Sequence, residues 1–436
     1  MVGRSLPIPA SVPPAELVGT TDDAVASADM PDLPVIDLLD PATFANGHPH
    51  DAYSWLRAND PVHHHKEVEG AGFWAVTRYA DIREVGRHPD RFSSSPTIMI
   101  PDSELELGDH TMMLMMDPPV HGSYRRLVIP DFVPKAVAAM KPRIAGLATQ
   151  IVDAIAEQGS CDLVDDVAGE MPSYVVAELL GLPLGDGREL YKLTEAIHAA
   201  PQSQPEGAGM AAVVEMFRYA GEVFNDRRAK PREDLSTRLA HATAHDRPFD
   251  EIDFGLMFLL LVDAGGDTTR NLVAGGMDAL FLHRDELSRL RANVDELLPT
   301  AIEELLRWVS PVTYMRRTAT SDTMLAGQQI QAGDKVVMYY GSANRDKAAF
   351  ADPFRFDVGR TPNEHVAFGS GGPHFCLGAH LARAEASALF RELFMRLPDL
   401  EPAGSTEWLA STFISGPKHL PVTFTPYGRT RARSHR

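Results

Sequence analysis

Nine consecutive residues, Phe254 to Val262, form the most apolar stretch of the chain, and DAGGDTTRN follows directly at 263–271. A run this apolar avoids water, yet it is far short of the ~18 residues that read as a bilayer span. The pattern predicts a long central helix buried in protein. Each glycine inside such a helix costs about 1 kcal/mol relative to alanine, so Gly265 and Gly266 need a reason. Asp267 places a carboxyl group in an apolar run, where an unpaired charge is expensive. Thr268 can hydrogen-bond the carbonyl four residues back, at Ala264, and loosen the helical ladder. A loosened turn with an acid and a hydroxyl suits the holding of a small polar ligand and the relay of protons. Close packing between helices would explain the glycines, but not Asp267 beside two threonines.

Most of the remaining interior also carries helical spacing, notably 136–157, 287–309 and 377–397. Strand-like runs are short: 72–77, 335–340 and 419–425. The expected fold is therefore mainly α with small β-sheets, in one domain over 34–426. Residues 1–33, rich in Pro, Ala, Ser and Asp, read as a disordered tail, and 427–436 as a basic one. PQSQPEGAG at 201–209 is the clearest internal loop.

Composition excludes several partners. With 41 Lys+Arg against 60 Asp+Glu, the net charge of −19 argues against general binding of nucleic acid or anionic membranes. The two cysteines, Cys161 and Cys376, share no CxxC spacing, which fits a reducing compartment. The first forty residues show no basic start followed by an apolar run, so the expectation is a cytoplasmic protein without a secretory signal.

Cys376 lies in FGSGGPHFCLGAHLAR, 368–383, just ahead of a predicted helix. A cysteine there faces backbone N–H donors and the positive end of the helix dipole, which favours thiolate. Gly369, Gly371, Gly372 and Gly378 let a flat partner approach the backbone. In EELLRW, Glu304 and Arg307 share a helix face at i, i+3, a weak signal alone.

Taken together and in this order, the acid–alcohol pair, the E-x-x-R and the Gly-rich cysteine loop resemble the cytochrome P450 family. The resemblance runs from about Pro34 to Pro426 and implies a helical prism with haem b between the Thr268 helix and the Cys376 loop. It further implies that Cys376 is the axial thiolate ligand, a donor that favours O–O cleavage. His121 and Arg125, in DPPVHGSYRRL, match the propionate-binding helix, and Arg317 and His374 match the other propionate positions. Arg360 is expected to join Glu304 and Arg307 in a buried ion network. Asp267 and Thr268 match the pair that delivers protons during oxygen activation. Phe368 stands eight residues before Cys376, one more than in the commonest family loop. That longer loop, with SPVTYMRRTATSD and SANRDKAAFADPFRFDVGR, looks like a bacterial subgroup oxidising cholesterol side chains and methyl-branched lipids.

The implied activity is a monooxygenase inserting one oxygen atom from O2 into a hydrophobic substrate. Its electrons would come from NAD(P)H through ferredoxin reductase and ferredoxin. Segments 97–116, 197–217 and 412–415 are the expected pocket walls, and Ile98, Met99, Ile100, Met112, Met113, Leu114, Met210, Phe413 and Ile414 make them apolar. A sterol side chain, terpenoid or branched lipid fits such walls, with a macrolide or aromatic natural product as the alternative. From a different class, Cys376 with His374 could serve a Cys/His hydrolase, and a haem sensor without turnover is a third possibility. His63, His64 and His65 read as decoration of a surface hairpin rather than a metal site. Met112–Met116 reads equally as pocket lining or ordinary packing.

Overall fold

The structure, a computed structural model, describes residues 36–68, 70–102, 108–198 and 204–428. The tail expected at 1–33 and the arginines of 429–436 lie outside the described residues, as do 103–107 and 199–203 of the expected pocket walls. A compact unit begins at Asp37.

The apolar run lies within one unbroken helix, Glu251–Leu282. Its start is fixed by a capping box: Asp250 accepts the N–H groups of Ile252 and Asp253, and Asp253 returns the bond to the Asp250 N–H. Helices Glu170–Leu180, Leu184–His198, Ala208–Ala229, Val294–Val309 and Ala379–Arg396 pack around this central helix. Their apolar faces merge into one core cluster. The run expected at 287–309 divides into Arg284–Ala292 and Val294–Val309, with Asn293 in a non-helical conformation, φ −141° and ψ 48°, at the break. Asparagine favours such a cap because its side chain competes with the helical ladder.

A five-stranded sheet forms a second cluster. Its strands lie in the order Val62–His65, Phe73–Val76, Lys335–Tyr339, Tyr314–Ala319 and Phe92–Ser93. Only the pairing of Phe73–Val76 with Lys335–Tyr339 is parallel. The hairpin expected around His63–His65 is present, but His65 is buried and its Nε2 accepts the Leu38 N–H. Strand alternation turns it inward while His64 packs on Trp74. Tyr427, expected to open the C-terminal tail, donates its N–H to Ala156 and lies under Arg396.

One half-buried histidine makes the fold acid-sensitive. His48 Nε2 lies 3.1 Å and 3.0 Å from the carbonyls of Val309 and Ser310, and burial pushes its imidazole down to about 4. The unfolded chain, with an ordinary value of ~6.5, binds a proton that the folded chain refuses. Stability is therefore lost as pH falls through ~6.5, and the loss levels off below the folded value, at ~3 kcal/mol in all. Urea unfolding at pH 7.5 and pH 5 should show this loss in the wild type. His48→Gln should flatten the slope; equal slopes in both proteins would refute the assignment. A residual slope of the same sign is expected from His50, which burial also holds neutral.

Candidate active site

Midway along the central helix the packing opens. Between Phe254 and Phe281 only Leu259, Asp263, Ala264, Gly265 and Thr268 are not buried, and Ala264 is exposed. Thr268 donates its hydroxyl to the Ala264 carbonyl at 2.9 Å, the bond expected from the sequence. It does not loosen the turn, because the helix continues through it. The glycines have the other explanation. A Cβ on Gly265 would stand 2.7 Å from Val176, and one on Gly266 would stand 2.9 Å from Tyr191. They are contact points for helices Glu170–Leu180 and Leu184–His198.

Asp267 is buried but not alone. The Tyr191 hydroxyl donates to its Oδ1 at 3.1 Å, and an Arg270 nitrogen lies 3.9 Å away. Arg270 is in turn paired with Glu195 at 2.9 Å. The acid is thus tethered to the neighbouring helix, which the sequence did not reveal. Desolvation is the largest influence on Tyr191 and raises its phenol, with the Asp267 charge acting in the same direction, so the hydroxyl stays a donor.

The cysteine loop is held by its own backbone. Cys376 N–H bonds the Phe368 carbonyl at 2.9 Å, and Gly369 N–H bonds Val366 at 2.9 Å. The additional loop residue is accommodated by left-handed glycines: φ is +97° at Gly371 and +78° at Gly372, where a Cβ would strike the Gly86 carbonyl. The Phe368 ring sits beneath Arg383, 4.5 Å from its guanidinium carbon. Helix Ala379–Arg396 starts three residues beyond Cys376, and a Cβ on Gly378 would meet nothing within 4 Å. Cys376 is exposed yet enclosed: burial is the largest influence on its thiol and pushes it up, against the Gly378 N–H, Arg125 and Arg383. The Gly378 N–H near the helix terminus acts toward the expected thiolate, and desolvation acts against it. Such a sulfur retains its proton unless a bound cation replaces it.

Four cationic or imidazole side chains converge beside this loop. His121 and Arg125 lie on helix Val120–Phe132, and Arg317 on the strand Tyr314–Ala319. The rings of His121 and His374 lie 4.0 Å apart, tilted by 32°, while His374 Nε2 meets the Met116 carbonyl at 3.0 Å. Arg125 donates to the Phe375 carbonyl at 2.6 Å and Arg317 to the Arg316 carbonyl at 2.8 Å. Neither arginine has an acidic ion-pair partner among the described residues. Asp117, whose charge reaches Arg317 and His121, is committed to Ser93 and the Ser94 N–H. Burial and the arginine charges push His121 down to about 4. Guanidinium donors with unused N–H groups next to a recessed thiol are a fitting donor set for an iron porphyrin bearing two carboxylates.

The hydrolase arrangement is absent. His374 is turned to Met116, and among the described residues no histidine hydrogen-bonds Cys376. Cys161 lies on the strand Ser160–Asp162, its thiol pushed up to about 12 by burial. Of the expected wall residues, Ile98, Ile100, Met113 and Ile414 are buried, Phe413 packs on Tyr314, and Met210 lies on the exposed surface.

Comparison with known proteins accords with this geometry. The cytochrome P450 family model matches residues 214–398. The methyl-branched lipid omega-hydroxylase of Mycobacterium tuberculosis is 38% identical over 389 residues, 86% of this chain and 90% of that protein. The chain belongs to the cytochrome P450 family. A steroid C26-monooxygenase of Mycolicibacterium smegmatis is 36% identical, over 90% of this chain and 97% of its own. A Mycobacterium marinum cytochrome P450 solved with pseudoionone superposes with a TM-score of 0.85 at 35% identity, covering 91% of this chain and 100% of that one. This P450 is accordingly a haem monooxygenase that takes electrons from a redox partner and acts on a hydrophobic substrate. No helix among the described residues is long and apolar enough to cross a membrane.

Proposed function

We propose that this P450 hydroxylates an elongated hydrophobic molecule near one end, a methyl-branched lipid, terpenoid or sterol side chain. The observation that carries this reading is the similarity, over most of the chain, to relatives named as an omega-hydroxylase of methyl-branched lipids and a steroid C26-monooxygenase. The buried Ile98, Ile100, Met113 and Ile414 are compatible with it, since apolar walls favour a lipid over a charged substrate.

Cys376 holds the haem iron through its thiolate, and Arg125, Arg317, His121 and His374 hold the propionates. The bound haem supplies the activation of O2, with electrons passed from NAD(P)H through ferredoxin reductase and ferredoxin in the cytoplasm. Asp267 supplies the acid and Thr268, on the partly open side of the helix, the alcohol of the proton delivery. Tyr191 and Arg270 position the Asp267 carboxyl.

Spin-state titration with cholestenone, a branched fatty acid, a monoterpene alcohol and a macrolide tests the substrate class. The expected result is a shift with the lipid-like ligands; a shift with the macrolide alone would overturn it. Thr268→Ala should bind substrate within about twofold of wild type but release most reducing equivalents as peroxide. Product formed per NAD(P)H consumed is the measurement, and an unchanged ratio removes Thr268 from proton delivery.

A further inference from the structure

Asp263 lies one turn before Asp267, immediately after the apolar run. His198, the last residue of helix Leu184–His198, meets it with Nε2 2.6 Å from Oδ1. Their side chains are 32% and 30% exposed, so the pair lies at the boundary between solvent and core. The ligand-type atoms of His198, Asp263 and Asp267 all lie within 4.8 Å of one another, and Asp267 is the buried member. A bound cation is a poor explanation. The hydrogen bond between His198 and Asp263 fills the place of a shared ligand, and Arg270 already brings positive charge to Asp267.

We propose that His198 and Asp263 form the solvent side of a proton relay that ends at Asp267. Solvent protonates His198; the imidazolium passes its Nε2 proton to the Asp263 carboxylate; that carboxyl passes it to Asp267, directly or across one water. Each step moves one proton and no electrons, and His198 regains its proton from water. The relay rests on the reading of Asp267 as the acid that serves Thr268.

The charges around His198 favour this role. Burial works against its protonation, but the hydrogen bond to Asp263 and the charges of Asp263 and Asp267 outweigh it and raise the imidazole above its ordinary value. The other ionisable groups nearby are Tyr191 and Glu195 on its own helix and Arg270 on the central one, with Asp165 acting on Glu195 and Arg270. Residues 199–203, AAPQS, add no titratable side chain. His198 therefore holds a proton more readily than a free imidazole and can release it to a carboxylate in contact.

The test compares His198→Gln, which cannot carry the proton, with His198→Lys, which can. In the haem-loaded enzyme with surrogate redox partners, wild-type kcat should fall as pH rises through the His198 titration. His198→Gln should lose that limb and be slower by on the order of tenfold near pH 7, with substrate spin-shift titration unchanged within about twofold. His198→Lys should recover rate and move the limb to higher pH. Independently of turnover, the His198 NMR titration should move to lower pH in Asp263→Asn. A wild-type pH profile in His198→Gln overturns the relay, as does a variant altered only in substrate binding or thermal midpoint. Asp267→Asn separates the two levels. If it is slow while His198→Gln is normal, only the outer relay fails; if Asp267→Asn also turns over normally, the acid–alcohol reading has failed.

Discussion

Cys376→Ser should yield a protein with no thiolate-type ferrous–CO band and no monooxygenase turnover. A neutral hydroxyl cannot supply the electron donation that a thiolate gives to iron. The loop itself should survive, because its shape depends on the Cys376 N–H to Phe368 carbonyl bond and on Gly371 and Gly372 rather than on sulfur. Arg125 and Arg317 should still receive the propionates, so some haem is retained with an altered absorption spectrum. Cys161→Ser is the matched control, since Cys161 sits in a strand away from any such loop. The ferrous–CO difference spectrum of both variants is the measurement. A normal thiolate band in Cys376→Ser would remove the ligand assignment and with it every role built around that loop.

The parts of this site that were legible in the sequence are those whose meaning is local. The glycines around Cys376, the i, i+3 pair Glu304–Arg307 and the Thr268 to Ala264 hydrogen bond are set by spacings of a few residues. What stayed hidden depends on distant chain segments. Asp267 is tethered by Tyr191, 76 positions earlier, and no periodicity encodes that meeting. The same contact makes Gly266 necessary, so the close packing that was one reading of the glycines is what the fold uses them for. Desolvation of Cys376 is another case. The helix-terminus argument concerns one element, whereas burial is the sum of everything packed around it. Asp263 was visible as an acid immediately after an apolar run, and its i−4 relation to Asp267 was the available signal for the His198 pair.

Arg307→Leu should cost about 3–5 kcal/mol, a large share of the ~5–15 kcal/mol that holds a typical domain together. Arg307 and Glu304 are both fully buried and joined by two parallel bonds, Nε to Oε2 at 2.8 Å and Nη2 to Oε1 at 2.7 Å. The remaining guanidinium donors reach the carbonyls of Asn344 and Pro353 at 2.8 Å and of Arg355 at 3.3 Å. Glu304 also accepts from Arg360, Asn363 and the Asp357 N–H. Leucine would leave this carboxylate with Arg360 as its ion-pair partner and strand two carbonyls, those of Asn344 and Pro353, because Arg360 still donates to Arg355. Lysine would not substitute, because an ammonium has no fork to span both oxygens. The damage extends to the site. Asn344, fixed through its carbonyl by Arg307, accepts the Val366 N–H on its side chain, and Val366 in turn holds Gly369 in the Cys376 loop. Haem loss should therefore precede global unfolding in Arg307→Leu, whereas Glu304→Gln/Arg307→Leu, with no orphaned carboxylate, should recover part of the stability. Urea titration followed in parallel by Soret absorbance and far-UV circular dichroism separates the two events. Coincident transitions within about 1 kcal/mol of wild type would show that the pair does not hold the loop.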